Sequence, residues 1–273
     1  MHPAVLAVLT RAETAGAALE TARLAAQRMG GARMEPLHVR HDPMEGFLPT
    51  EEVMTPERRH ALTAAEAKNS ALVKAAFEDW LASQPQPGPS WREVIGTVQE
   101  VVAEQARHAG LVVVGHASNG RNPDASAAIH ALLFETRVPI LLAPPIAPVS
   151  VGRHAALAWK RSQPAERALE AALPLLLKAD RATILIGDDE SEEESFPSAA
   201  ARSLRGAGIP LDITHFASGE REIGEALLAE AHACGADMLV MGAFAHSRIR
   251  EFVLGGATRA ILHHADLPVL MRH

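Results

Sequence analysis

The stretch "DMLVMGAFAHSRIREFVLGGATRAILHHADLPVLM" at residues 237–271 decides the fold. Its first residues, 237–242, form a short apolar run that predicts a buried strand. Gly255 and Gly256 then precede a segment with helical spacing at 257–264, and a second apolar run at 267–272 predicts a final strand. The stretch therefore predicts a strand, a glycine-containing loop, a helix and a strand in succession.

The same alternation continues upstream in the second half of the chain. Pro164 suits the first turn of a helix, and the apolar residues after it recur at helical spacing. The pattern predicts strands at 153–160, 182–187 and 210–217, and helices at 164–179, 197–206 and 219–234.

The first half of the chain repeats this plan. "LVVVG" at 111–115 corresponds to "LVMG" at 239–242, and "RVPILL" corresponds to "DLPVLM". Between the halves, "APPIAPVSVG" at 143–152 has three prolines and no periodicity, which is typical of a stiff linker. The sequence predicts a tandem repeat with domains at 1–147 and 148–273. The remaining predicted strands are 4–10, 33–39, 91–96, 111–115 and 138–144, and the helices are 12–29, 55–83, a segment ending near 109, and 124–135.

Strands that alternate with helices favour parallel pairing, right-handed crossovers and helices on both faces of the sheet. Aromatic residues make up only 4% of the chain and tyrosine is absent, so the core must consist mainly of Ala, Val, Leu and Ile. The predicted fold class is α/β, with two tandem doubly wound domains.

Composition also limits the partners and the location. The formal charge of −7 gives no general attraction for nucleic acid. The single cysteine, Cys234, excludes an intramolecular disulfide and a multi-cysteine metal site, and it fits a reducing compartment. No apolar stretch reaches about 18 residues, the length needed to span a membrane. We expect a cytoplasmic protein with no nucleic-acid or membrane partner.

The stretch 237–271, together with "AWKRSQPAERALEAALPLL" at 158–176, resembles the universal stress protein family. The resemblance covers the second half through its motifs and the first half through its element order. It implies a five-stranded parallel sheet in each half, in the order 3-2-1-4-5, with a ligand site where the order reverses. In the family the last strands pair between domains, so we expect a pseudo-dimer within the chain, and a homodimer through such edge strands is a further expectation.

Nucleotide-binding members of the family hold the ribose and phosphates of ATP with Gly, two residues, Gly, nine residues, Gly and then Ser or Thr. Gly242 and Gly255 match the first and third glycines, whereas Ala245 and Gly256 replace the second glycine and the hydroxyl residue. By this resemblance the predicted nucleotide site comprises Trp159, Lys160, Ile186, Met241, Gly242, Ala245, Arg248, Gly255, Gly256, Ala257 and Thr258. The expected cofactor is ATP with Mg²⁺.

The roles of individual residues at this site follow from their chemistry. The family's first-strand aspartate falls near Trp159 or Lys160, so a base would stack on Trp159 and a phosphate would pair with Lys160. Arg248 could neutralise phosphate, and Thr258 could supply the missing hydroxyl. Six carboxylates at 188–194 oppose anion binding unless Mg²⁺ or an outward-pointing loop offsets them.

The first half lacks the equivalent motif. Gly115 is retained, but Ser126 and Ala127 replace the paired glycines, and Thr10 replaces the first-strand aspartate. We expect no nucleotide site of the family type there.

Catalytic and metal sites are disfavoured by the sequence. No G-x-S-x-G elbow, P-loop or H-E-x-x-H spacing occurs, and the 14 histidines show no ligand spacing. We predict a stress-response module that binds an adenine nucleotide, and not an enzyme. A nucleotide-free scaffold of the same fold is the alternative, and slow ATP hydrolysis is the weaker one.

Overall fold

The computed structural model describes residues 4–42, 55–85, 87–116, 122–187, 199–243 and 256–273. Strands and helices alternate through both halves, as the sequence predicts. The first half contains β1 (Ala4–Leu9), α1 (Ala12–Arg28), β2 (Met34–Arg40), α2 (Pro56–Ala82), β3 (Glu93–Ile95), α3 (Val98–Ala106), β4 (Ala109–Val114), α4 (Pro123–Glu135) and β5 (Ile140–Leu142). The second half contains β6 (His154–Trp159), α5 (Gln163–Leu176), β7 (Arg181–Gly187), α6 (Ala199–Gly206), β8 (Leu211–Phe216), α7 (Ile223–Ala233), β9 (Met238–Gly242), α8 (Gly256–His264) and β10 (Val269–Arg272).

The strands form one ten-stranded sheet in the order β3-β2-β1-β4-β5-β10-β9-β6-β7-β8. Each half has the predicted order 3-2-1-4-5, and all pairs within a half are parallel. The α/β fold class is confirmed.

The halves join through their last strands. β5 and β10 pair antiparallel, with Leu141 opposite Leu270. The expected pseudo-dimer is therefore present within the chain. Because β5 and β10 use their open edges in this internal joint, a homodimer through edge strands would have to use β3 or β8, and it stays a prediction.

Helices cover both faces of the sheet. Val5, Ala7 and Leu9 of β1 belong to a core cluster with α1, α2, α5 and α6, whereas Leu6 and Val8 belong to a second cluster with α3, α4, α7 and α8. This division follows from the alternation of side chains along a strand. Both clusters contain residues of both halves, so two cores extend across the joint.

Several boundaries differ from the sequence prediction, and the largest shift is at the beginning of α7. Helix α7 begins at Ile223 rather than near residue 219. Gly219 has a φ of 61°, which is left-handed and incompatible with an α-helix, so the chain turns there before the helix begins. Among the residues with described positions, no helix combines the length and apolar character needed to cross a membrane.

Candidate functional site

The predicted site of the second half lies at the point where the strand order reverses. β6 pairs with β7 on one side and with β9 on the other, and all three strands are parallel. Their carboxyl ends therefore meet at one edge of the sheet, where Trp159 lies opposite Ile186 and where β9 ends at Gly242. In open α/β sheets this is the place where ligands bind.

Gly242 packs against the beginning of α5. A Cβ added to it would lie 2.5 Å from the Ala165 backbone nitrogen and 2.6 Å from the Pro164 carbonyl carbon. These distances are shorter than any side-chain contact can be, and both neighbouring atoms are backbone. Gly242 is thus required for close packing of strand and helix, a role separate from the ligand contact that the motif predicts.

Trp159 and Lys160 have different environments. Trp159 is 7% exposed and belongs to the core cluster on the α5 face. Its indole has little exposed surface on which a base could stack, so we do not propose base stacking at Trp159. Lys160 directly follows β6 and is exposed, which places a cation at this edge.

Helix α8 follows β9 in the chain and begins at Gly256. A Cβ added to Gly256 would meet nothing within 4 Å, whereas Thr258, two residues into the helix, is buried. Met241 and Ile186 are also buried, and Ala257 is partly exposed. Ala245, Arg248, Gly255 and the acidic run 188–194 lie outside the described residues.

The equivalent point of the first half is filled by the chain itself. Thr10 follows β1 as Lys160 follows β6, and its hydroxyl accepts a hydrogen bond of 2.9 Å from the Asn122 side-chain amide. The Asn122 side-chain Oδ1 in turn accepts from the Ala125 backbone N–H at 3.2 Å and caps α4. Both Thr10 and Asn122 are buried. The N-terminus of α4, which corresponds to that of α8, is therefore capped by a side chain of the chain itself.

The loop residues of the first half also differ in position. Ser126 and Ala127, which align with the paired glycines, lie within α4 because that helix begins at Pro123. Gly115 corresponds to Gly242 and packs in a related way, since an added Cβ would lie 3.0 Å from the Thr14 hydroxyl in the first turn of α1.

Asn122 was missed by the sequence analysis, although the sequence contains a signal for it. "NPD" at 122–124 has a preferred capping residue, then proline at the first helical position, then an acid in the first turn. Ser162, which caps α5 by accepting from the Ala165 N–H at 3.4 Å, precedes Pro164 in a similar way.

A histidine follows β4 and lies near the second half. Burial lowers the pKa of His116 below its ordinary value of 6.5, and the charges of His263 and His264 on α8 lower it further. The neutral form of His116 is therefore favoured beside α8 of the second half. The described ranges contain no group of three or more side chains suited to hold a metal ion.

Comparisons with known proteins agree with this geometry. Residues 178–273 match the sequence profile of the universal stress protein family, and no curated protein matches the chain in sequence. The chain is similar in structure to a universal stress protein from Archaeoglobus fulgidus, at 16% identity and a TM-score of 0.70, with coverage of 100% of this chain and 96% of that one.

Two Pseudomonas aeruginosa structures are also similar. A protein of unknown function from strain PAO1 gives 16% identity and a TM-score of 0.54, and a candidate universal stress protein from strain UCBPP-PA14 gives 16% and 0.53. Each alignment covers 99% of this chain and 92% of the other. At these identities the likeness concerns the fold, and it extends over both halves.

Proposed function

Because residues 178–273 carry a universal stress protein domain, we propose that the chain is a stress-response protein that binds ATP or a related adenine nucleotide in this half. Nucleotide occupancy would alter its assembly or its choice of partner. One site per chain is proposed, at the carboxyl ends of β6, β7 and β9.

The observation that carries this proposal is a difference between the two points where the strand order reverses, one in each half. In the first half, Asn122 caps α4 and bonds to Thr10, which closes the position. In the second half, the residue before α8 is Gly255, which has no side chain to cap the helix, and exposed Lys160 occupies the place of Thr10. Backbone N–H groups that Gly255 has no side chain to cap, and an ammonium group at the same edge of the sheet, both favour a phosphate.

Different described residues would have different roles in binding the nucleotide. The first N–H groups of α8 and the Lys160 ammonium group would hold phosphate. Ile186 and Met241, at the ends of β7 and β9, are about as buried as Trp159 and would form the floor beneath the site. Mg²⁺, bound to the phosphates, would reduce their repulsion from the acidic run 188–194.

Calorimetric titration with Mg-ATP tests the proposal on a matched pair of variants. Gly256→Glu adds a carboxylate to the first turn of α8, where it favours the helix but repels phosphate, and we expect affinity to fall at least tenfold. Gly256→Ala, whose added Cβ meets nothing within 4 Å, should bind like the wild type. Equal affinity of all three proteins, or no heat at high micromolar ATP, would reject the site.

A nucleotide-free scaffold is the second candidate. The observation that favours it is the chemistry at the end of β6, where Trp159 is buried and Lys160 replaces the family's aspartate. A crystal grown with Mg-ATP decides between the two, because a nucleotide on α8 and Lys160 rejects the scaffold function.

Catalysis is not part of the proposed function, since no general base is evident beside the glycine loop. Phosphate release from ATP by purified protein checks this point. Hydrolysis that disappears in a Gly255→Val variant would establish slow ATPase activity at this site.

A further inference from the structure

The outer edge of β8 forms one end of the ten-stranded sheet. Within the described ranges β8 pairs only with β7. It is six residues long, whereas β3 at the opposite end has three. The Ile213 side chain is 50% exposed near its middle. A long, unpaired edge strand with an exposed apolar side chain is a template for pairing with another strand.

The direction of the backbone groups shows which residues of β8 can pair outward. Ala182 of β7 donates its N–H to the Pro210 carbonyl at 2.9 Å, so the carbonyl group of residue 210 points toward β7. Because this direction alternates along a strand, Asp212 and Thr214 also point inward. Leu211, Ile213 and His215 present their N–H and C=O groups to the open side.

Leu211 and His215, the other two residues with outward backbone groups, lie symmetrically on either side of Ile213. If a second β8 pairs antiparallel with Ile213 opposite Ile213, Leu211 lies opposite His215 on both sides. All six outward N–H and C=O groups of each strand then find partners in the other. The exposed Ile213 side chains meet each other, and Asp212 lies opposite Thr214.

Registers displaced by one residue are less favourable. Centring on Asp212 places two carboxylates opposite each other, which is destabilising. Centring on Thr214 places Ile213 opposite His215 and Asp212 opposite Phe216, and leaves Leu211 opposite a residue beyond the strand. Charge and apolar matching thus select the register that is centred on Ile213.

We propose that the chain forms a homodimer by antiparallel pairing of β8 with β8 of a second copy, in the register centred on Ile213. The molecule already contains one joint of this kind, because β5 and β10 are the corresponding strands of the two halves and pair antiparallel with Leu141 opposite Leu270. The dimer would extend that continuous sheet across a second two-fold axis, independently of any nucleotide.

Light scattering coupled to size exclusion tests the mass at tens of micromolar protein. The chain mass is 29.1 kDa, and we expect the wild type to elute with twice that mass. Ile213→Lys should return it to the monomer by placing two ammonium groups opposite each other. The control Ile95→Lys changes an exposed isoleucine on the opposite edge strand and should leave the dimer intact.

A second variant separates backbone pairing from side-chain contact. Ile213→Pro removes an N–H that points away from β7, and proline is tolerated at such edge positions. It should abolish the dimer while the circular dichroism spectrum stays that of the wild type. In the wild-type dimer, the amides of Leu211, Ile213 and His215 should exchange slowly with solvent, and dissociation by Ile213→Lys should accelerate all three.

A wild-type protein of monomer mass would overturn the proposal, even if it captured a strand of another protein. So would a dimer that survives both substitutions of Ile213, or one that Ile95→Lys dissociates.

Discussion

At the scale of single residues, two glycines of one motif have different physical roles. Gly242 lies against the backbone of Pro164 and Ala165, where no Cβ fits, whereas Gly256 has open space around its Cα. The sequence motif treats both as ligand-loop glycines. The structure assigns Gly242 to packing of β9 on α5 and shows no such packing at Gly256 among the described residues.

Gly242→Ala should therefore destabilise the protein. An added Cβ at 2.5 Å from a backbone nitrogen forces the strand and helix apart, and overpacking of this kind typically lowers the free energy of unfolding by about 1–3 kcal/mol. Gly256→Ala should change it by less than about 0.5 kcal/mol, as an unconstrained surface substitution does. Urea unfolding of both variants measures the difference, and equal stabilities would contradict the packing role.

At the scale of elements, the repeated strands and helices could be predicted from periodicity because most strands in the interior of the sheet are short apolar runs. The ends of the elements and the contacts between them could not be predicted from periodicity. The late start of α7 depends on the conformation of Gly219, and the burial of Trp159 depends on which face of β6 it occupies. The closure of the first-half site required the distance from Asn122 to Thr10, which are far apart in sequence.

We expect the local stability of helix α2 to differ between its first turns and the rest of the helix. Residues 56–65 are exposed on every side, whereas Ser70, Val73 and Phe77 are buried against the sheet. Because helical stability in proteins comes mainly from packing, we expect amides in the first three turns to exchange much faster than those after Ser70. Hydrogen exchange resolved by residue measures this, and uniform protection along α2 would contradict it.

At the scale of the whole molecule, the two halves form one sheet and share both cores. Leu141 and Leu270 pair across the joint and are both fully buried. On one face α1 contacts α5, and the Arg28 guanidinium donates to the Lys178 carbonyl. The halves resemble each other in architecture, yet only in the second does a lysine directly follow the first strand and does the sequence place two glycines at the beginning of the last helix.

The stability of the joint should depend on pH through His116. Its folded pKa lies below 6.5, so between that pKa and 6.5 the unfolded chain binds more protons than the folded one. Stability is therefore lost as pH falls below about 6.5. We expect His116→Gln to weaken this dependence in urea unfolding at pH 5.5 and 7.5.

The dependence should not vanish in that variant, because burial and Arg181 also lower the pKa of His154. His108→Gln changes an exposed histidine on the same half and is the matched control. If His116→Gln keeps the full loss of stability at low pH while His108→Gln removes it, the assignment to His116 is wrong.

Native mass spectrometry of the chain equilibrated with Mg-ATP tests most directly whether one half binds nucleotide. The predicted result is one adenine nucleotide per chain, and its loss in Gly256→Glu. No bound nucleotide would contradict the proposed site, and two per chain would contradict the closure of the first half by Asn122 and Thr10.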